Sequence, residues 1–171
     1  VKVSVSDDSD VGTVQNVLGN ERLESIVPAT YKCIGSISNE KTNKLYWFVT
    51  GGKDAILEYN LDSKETKLVL VDNKVNTQEA VLKFSEKIIT GINIIDNLLF
   101  FTDGVNEPRK INIDSCIAGT TTVPDLDTAT HTKLIINGVD EGDIKESHIT
   151  VIRPNPKSQL DVIINEPITQ T

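Results

Sequence analysis

Two histidines, His131 and His148, and two cysteines, Cys33 and Cys116, are the whole supply of imidazole and thiol in the chain. Neither histidine has an acid or a nucleophile at a motif spacing. His131 falls in a polar stretch and His148 in an alternating one, and both read as surface or structural residues. A G-x-S-x-G elbow and a glycine-rich phosphate loop are absent. Cys33 and Cys116 lie far apart with no C-x-x-C spacing, so they lack the pairing of a zinc or redox motif. They are expected to be buried, free and poorly reactive. Asp7, Asp8 and Asp10, and again Asp125 and Asp127, offer oxygen ligands. Neither run fits D-x-[DN]-x-[DN]-G with a glutamate at the twelfth position, and both read as solvated loops. Asp54 with Glu58, and Asp140 with Asp143, have the composition of acid/base pairs but nothing that separates them from surface charge. The expectation is a non-enzyme with no catalytic residue, no cofactor and no metal.

Aromatic side chains are the remaining candidates. Tyr46-Trp47-Phe48 and Phe100-Phe101 could form a stacking platform for bases or sugars. They could equally fill the space between packed sheets, and their recurrence at matching places favours core packing.

The elements that must carry these residues read as strands. Tyr31–Ser38, Lys44–Thr50, Ala55–Leu61 and Lys67–Val71 are short apolar runs separated by Asn-, Gly- and Asp-rich clusters, the signature of an antiparallel meander. A second set follows: Ile88–Ile95, Leu98–Thr102 and Arg109–Asp114. Overlaying the two sets at an offset of 53 residues pairs Leu45 with Leu98, Trp47 with Phe100 and Phe48 with Phe101. At 52 residues Tyr59–Asp62 falls on Ile111–Asp114, and Gly35 matches Gly91 at 56. Repeated four-stranded units of about 40–50 residues point to a β-propeller. Thr77–Lys87 carries a capping-box-like Asn76 and Glu79, yet Val81, Leu82 and Phe84 fit a strand as well, and a strand is expected. From Gly119 to His131 the chain turns Thr-rich and polar. Lys133–Asn137, Ser147–Ile152 and Leu160–Ile164 read as further strands, with Arg153-Pro154-Asn155-Pro156 extended between the last two.

The expected fold is therefore all-β: propeller blades over 1–118, a linker over 119–132, and a short extra β segment over 133–171 leading into a further domain. The 171 residues suffice for one real core. The absence of methionine, and Val1 standing inside an alternating strand pattern, read as a fragment of a larger protein, because two blades alone leave faces uncovered. The net charge of −8 argues against nucleic-acid binding and against an anionic membrane surface. The longest apolar run, Leu45–Val49, is far short of the ~18 residues of a membrane span.

Two families share these strings. Leu45-Tyr46-Trp47-Phe48 and Leu99-Phe100-Phe101-Thr102-Asp103-Gly104 resemble the YWTD propeller repeat of extracellular receptors, although Val49-Thr50-Gly51 stands where the first copy needs Thr-Asp. A longer resemblance runs through DVGTVQNVLGN, from Asp10 to Asn20, and TGINIIDNLLFFTDGVNEPRKINI, from Thr90 to Ile113. With SHITVI, from Ser147 to Ile152, ahead of its prolines, these strings are similar to the propeller-bearing tail structural proteins (muzzle, tail-hub or stabilisation type) of short-tailed crAss-like bacteriophages.

That resemblance implies a virion tail component, assembled in the host cytoplasm, forming part of an oligomeric ring or hub with other tail proteins and touching neither membrane nor specific nucleic acid. A closed ring would suit an acidic subunit lining a DNA conduit. The alternative is a carbohydrate-binding or glycan-processing propeller at a particle or cell surface. Residues 120–131, with little to bury, are expected to be the first cut by protease.

Overall fold

A computed structural model describes residues 25–152 in full and the backbone of residues 2–6 and 9–15. Strands β1 (Lys2–Ser6) and β2 (Ser9–Gln15) pair antiparallel. The first sheet is a meander of β3 (Lys32–Asn39), β4 (Lys44–Thr50), β5 (Asp54–Asn60) and β6 (Glu65–Asp72), in that order and antiparallel throughout. The turn residues act as their chemistry demands. Asn60 Oδ1 accepts from the backbone N–H of Asp62 and Ser63, and Asn43 takes a left-handed φ of 50°. The second sheet has three strands, β7 (Gly91–Ile95), β8 (Leu98–Thr102) and β9 (Arg109–Asn112). The molecule is mostly antiparallel β, as the sequence predicts.

The first sheet is apolar on both faces, which is why β4 to β6 read as nearly continuous hydrophobic runs. Tyr46, Phe48, Ile56 and Leu70 face the second sheet and meet Leu99, Phe101 and Ile111 there. Val49, Ala55, Leu57, Leu68 and Val71 face the opposite way. A bulge in β6 sets Ile56 opposite Leu70 and Leu57 opposite Leu68, which lets Val69 and Leu70 both join the inter-sheet core. Gly35 permits the close approach of the sheets. A Cβ there would lie 3.0 Å from the Ile92 side chain and 3.1 Å from the Ile89 carbonyl oxygen. Phe48, Phe84 and Phe101 close the seam as a triangle of tilted rings, with centroids 5.2–6.0 Å apart.

Several local expectations are corrected. The strand expected over Arg109–Asp114 stops at Asn112, whose side chain accepts from Ser115 N and caps helix α1 (Ile113–Ala118). The strand expected over Ser147–Ile152 is instead helix α2 (Glu146–Ile149), followed by one bridge from Thr150 to Arg109. His148 Nδ1 accepts from Lys145 N and stabilises that single turn. The partner of β10 (Lys133–Ile136) is β11 (Val139–Asp143), joined through Asn137 and Gly138, both at positive φ. Residues 77–87 form neither a strand nor a helix. The strand expected over Leu160–Ile164 and the extended run Arg153–Pro156 lie outside the described residues.

The 53-residue overlay holds as a strand register, carrying the pairs Phe48–Ile56 and Tyr46–Glu58 of β4–β5 onto Phe101–Arg109 and Leu99–Ile111 of β8–β9. It makes Phe48 and Phe101 equivalent, and these two rings meet across the seam.

The outer edge of β6 is occupied by threonines. Thr132 N donates to Val71 O, and Thr132 Oγ1 accepts from Val71 N, so one residue stands in for a paired strand. Thr120 Oγ1 reaches Val69 O at 3.0 Å.

Residues 119–132 are irregular, as expected of a connection, but they are packed. Leu126 and Ala129 cover the outer face of the first sheet together with Ile26, Val27, Tyr31 and Val123. This burial predicts resistance to protease where the composition predicts cutting. Leu126→Ala should lower the unfolding free energy by about 3 kcal/mol in urea titration. The same substitution should convert residues 119–132 into the first cleavage site in limited proteolysis.

Candidate functional site

The densest polar cluster lies at one end of the seam. Asp54 opens β5 and Asp72 closes β6, where they are register partners, and both side chains are wholly buried. Buried carboxylates are tolerable only when hydrogen-bonded, and here the donors come largely from backbone. Asp72 Oδ2 accepts from Val81 N at 2.6 Å and Leu82 N at 2.8 Å, and its Oδ1 accepts from Lys74 N at 3.0 Å. Asp54 Oδ2 accepts from Phe84 N at 2.8 Å and Oδ1 from Thr50 Oγ1 at 2.7 Å. Arg109, also buried, donates to the Leu82 carbonyl and to Glu146 Oε1. Residues 80–84 are thus a strap whose exposed backbone groups are satisfied by side chains instead of by a neighbouring strand.

Burial raises the Asp54 carboxyl from its ordinary 3.8 to about 6. The Thr50 hydroxyl and the Phe84 N–H pull it back down, the Asp72 charge pushes it further up, and Arg109 opposes that push.

The candidate pairs do not converge. Glu58 shares a face of β5 with Asp54 but serves a different network: its Oε2 accepts from Tyr46 Oη at 2.7 Å, and Lys44 Nζ pairs with it at 3.0 Å. Burial first, and the Glu58 hydrogen bond second, drive the Tyr46 hydroxyl above its usual range. Asp140 accepts from Gly142 N within the hairpin turn. Asp143 binds Lys133 at 2.6 Å and Lys74 at 2.9 Å, and these partners hold its carboxyl down at about 2. Asp125 caps the 3-10 turn Leu126–Thr128. Asp127 accepts from Tyr31 Oη at 2.6 Å. Lys53 spends all three ammonium protons on the carbonyls of Leu126, Asp127 and Ala129. Asp7 and Asp8 lie outside the described residues, and of Asp10 only the backbone is described.

Cys33 and Cys116 are both free, but only Cys116 is buried, and burial pushes its thiol up to about 12. The expectation of two buried thiols is corrected for Cys33, which is exposed on edge strand β3, where side chains alternate outward. His148 is exposed, whereas His131 is buried with Nε2 3.0 Å from the Ile144 carbonyl oxygen. Tyr46, Phe48 and Phe101 are buried and Trp47 packs on the outer core cluster, whereas half-buried Phe100, with an edge of Phe101, lines a shallow open groove of about 320 Å³ beside Ile92, Pro108 and Val151.

An open groove of about 680 Å³ lies between the 105–107 loop and α2. Of its charged lining residues, Glu146 is already paired with Lys83 and Arg109. Among the described residues no set of three His, Cys, Asp or Glu is placed to hold a metal, and no helix is long and apolar enough to cross a membrane.

Sequence reasoning passed over Asp72, Arg109 and Lys53. A readable signal existed for the first two: Asp72 ends the run Leu68–Val71, and Arg109 alternates with Ile111 on a core-facing register. No protein-family model, curated protein or solved structure matches the chain.

Because the folded protein holds the Asp54 proton more tightly than the unfolded chain does, this group adds stability as pH falls from about 7 toward 4. Asp54→Asn keeps the shape and cannot titrate. The stability difference between wild type and this variant should therefore shift by about 2 kcal/mol in favour of wild type between pH 8 and pH 4.5, read from urea unfolding at the two pH values.

Proposed function

We propose that the chain is a structural protein of a bacteriophage tail, part of an oligomeric ring or hub built with other tail proteins and assembled in the host cytoplasm. In this reading its two sheets are adjacent β-propeller blades. The observation that supports repeated units is their shared strand register. At an offset of 53 residues the ladder β4–β5 falls on β8–β9 pair for pair: Phe48 with Ile56 on Phe101 with Arg109, Trp47 with Leu57 on Phe100 with Lys110, and Tyr46 with Glu58 on Leu99 with Ile111. Antiparallel units repeated at this spacing are how propeller blades are built.

The use of the buried charges supports a scaffold role. Asp54, Asp72, Glu58 and Arg109 all have structural partners, and their hydrogen bonds hold a strap, a tyrosine and a helix in place. The tail assignment itself rests on the strings from Asp10 to Asn20 and from Thr90 to Ile113 and their resemblance to crAss-like tail proteins. An acidic ring would let DNA pass without sticking, since a net charge of −8 opposes the binding of phosphates.

Quantitative mass spectrometry of purified particles, paired with electron microscopy, tests the proposal. The chain should be present at a copy number matching a symmetric ring and should lie on the tail axis. Its absence from intact particles, or its recovery there only as a monomer, would overturn the assignment.

A further inference from the structure

The hydrogen bond of His131 fixes where its proton sits. The Ile144 carbonyl can only accept, so Nε2 carries the hydrogen and donates across 3.0 Å. In the neutral ring Nδ1 is then a bare lone pair. It is the buried side-chain nitrogen or oxygen that has no hydrogen-bond partner among the described residues, and it points at Asp72 Oδ1 from 3.6 Å. Ionised Asp72 is likewise acceptor-only, with Val81, Leu82 and Lys74 amides already directed at it. The distance leaves no room for a bridging water. Two lone pairs therefore oppose each other in a site where His131 is 5% exposed and Asp72 is not exposed at all.

We propose that His131 and Asp72 form a proton-operated clasp on the strap. Uptake of a solvent proton at Nδ1 makes the ring an imidazolium and closes an N–H onto Asp72 Oδ1. Its release restores the opposed lone pairs and loosens the Asp72 carboxylate that holds the amides of Val81 and Leu82. The clasp ties the segment carrying His131 to three other pieces of chain: the end of β6 through Asp72, the strap through residues 81–82, and the link between β11 and α2 through Ile144. Val81 and Leu82 are fully buried and Phe84 packs against Phe48 and Phe101, so a loosened strap loosens the seam between the sheets.

The other charged groups around the clasp are accounted for. Asp54, on β5, couples to Asp72, and Arg109, on β9, acts on Asp54 with the opposite sign. Lys74, Lys133 and Asp143 form a solvent-side ion cluster next to Ile144. The inference is independent of what the sheets assemble with.

The test is heteronuclear NMR on the ¹⁵N-labelled full chain from pH 8.5 to pH 5, in wild type, Asp54→Asn and His131→Gln. In wild type, Nε2 of His131 should stay protonated throughout while Nδ1 gains its proton on acidification. Corrected for the intrinsic rate, amide exchange at Val81 and Leu82 should slow about tenfold over the same titration, the size of one charge-assisted hydrogen bond. The effect should persist in Asp54→Asn and vanish in His131→Gln. The clasp is overturned if Nδ1 titrates without any change in exchange, if Nε2 is the nitrogen that titrates, or if the exchange effect disappears in Asp54→Asn. Should His131→Gln fail to fold, the wild-type and Asp54→Asn titrations decide the matter alone.

Discussion

A β-sheet that is apolar on both faces cannot stand in water, and the sheet β3–β6 is such a sheet. Each face needs its own cover, and the rest of the described structure follows from supplying two. One face takes the second sheet and the strap at residues 80–84. The other takes irregular chain from residues 26–31 and 123–129. Irregular chain in a core brings unpaired amides and carbonyls with it, and these must find partners. The two buried carboxylates, Arg109 and the Lys53 ammonium answer that need. The polar cluster is in this sense a consequence of the hydrophobic pattern.

The cost of this arrangement is concentrated where charge is buried. Asp54 and Asp72 stand side by side, and Arg109 offsets part of their repulsion without contacting Asp72 directly among the hydrogen bonds and ion pairs described. Removing one partner of such a set leaves another uncompensated, which costs more than the set contributes as a whole. Glu58 is arranged differently, with Tyr46 and Lys44 both on one carboxylate, and forms a separate unit further along the same strand.

The first sheet was legible because its turns carry residues with local mechanisms, such as Asn60 and Asn43, and because its strands are rich in β-branched and aromatic side chains. The strap was not. Val81, Leu82 and Phe84 have the spacing of a strand, but their amides are claimed by carboxylates from 9 to 30 residues away, a tertiary arrangement no local pattern encodes. Helix α1 was missed because Asn112 was credited to a strand end instead of read as an N-cap. The packing of residues 119–132 was missed because two apolar residues, Leu126 and Ala129, are few in number but wholly committed. The aromatic letters and the strand pairing agree on a 53-residue offset between β4–β5 and β8–β9, so that part of the repeat was legible as well.

The threonines on the edge of β6 bear on what a chain so rich in strands exposes at its borders. An unpaired edge is a template for fibril growth, since any extended chain can dock its amides there. With both backbone groups of Val71 taken by Thr132, and Val69 covered by Thr120, that part of the edge has nothing left to offer a stranger. Polymerisation by strand addition is blocked at this border by two hydroxyls and one amide. At Val69 and Val71 a second copy of the chain therefore finds no free backbone group through which to add a strand.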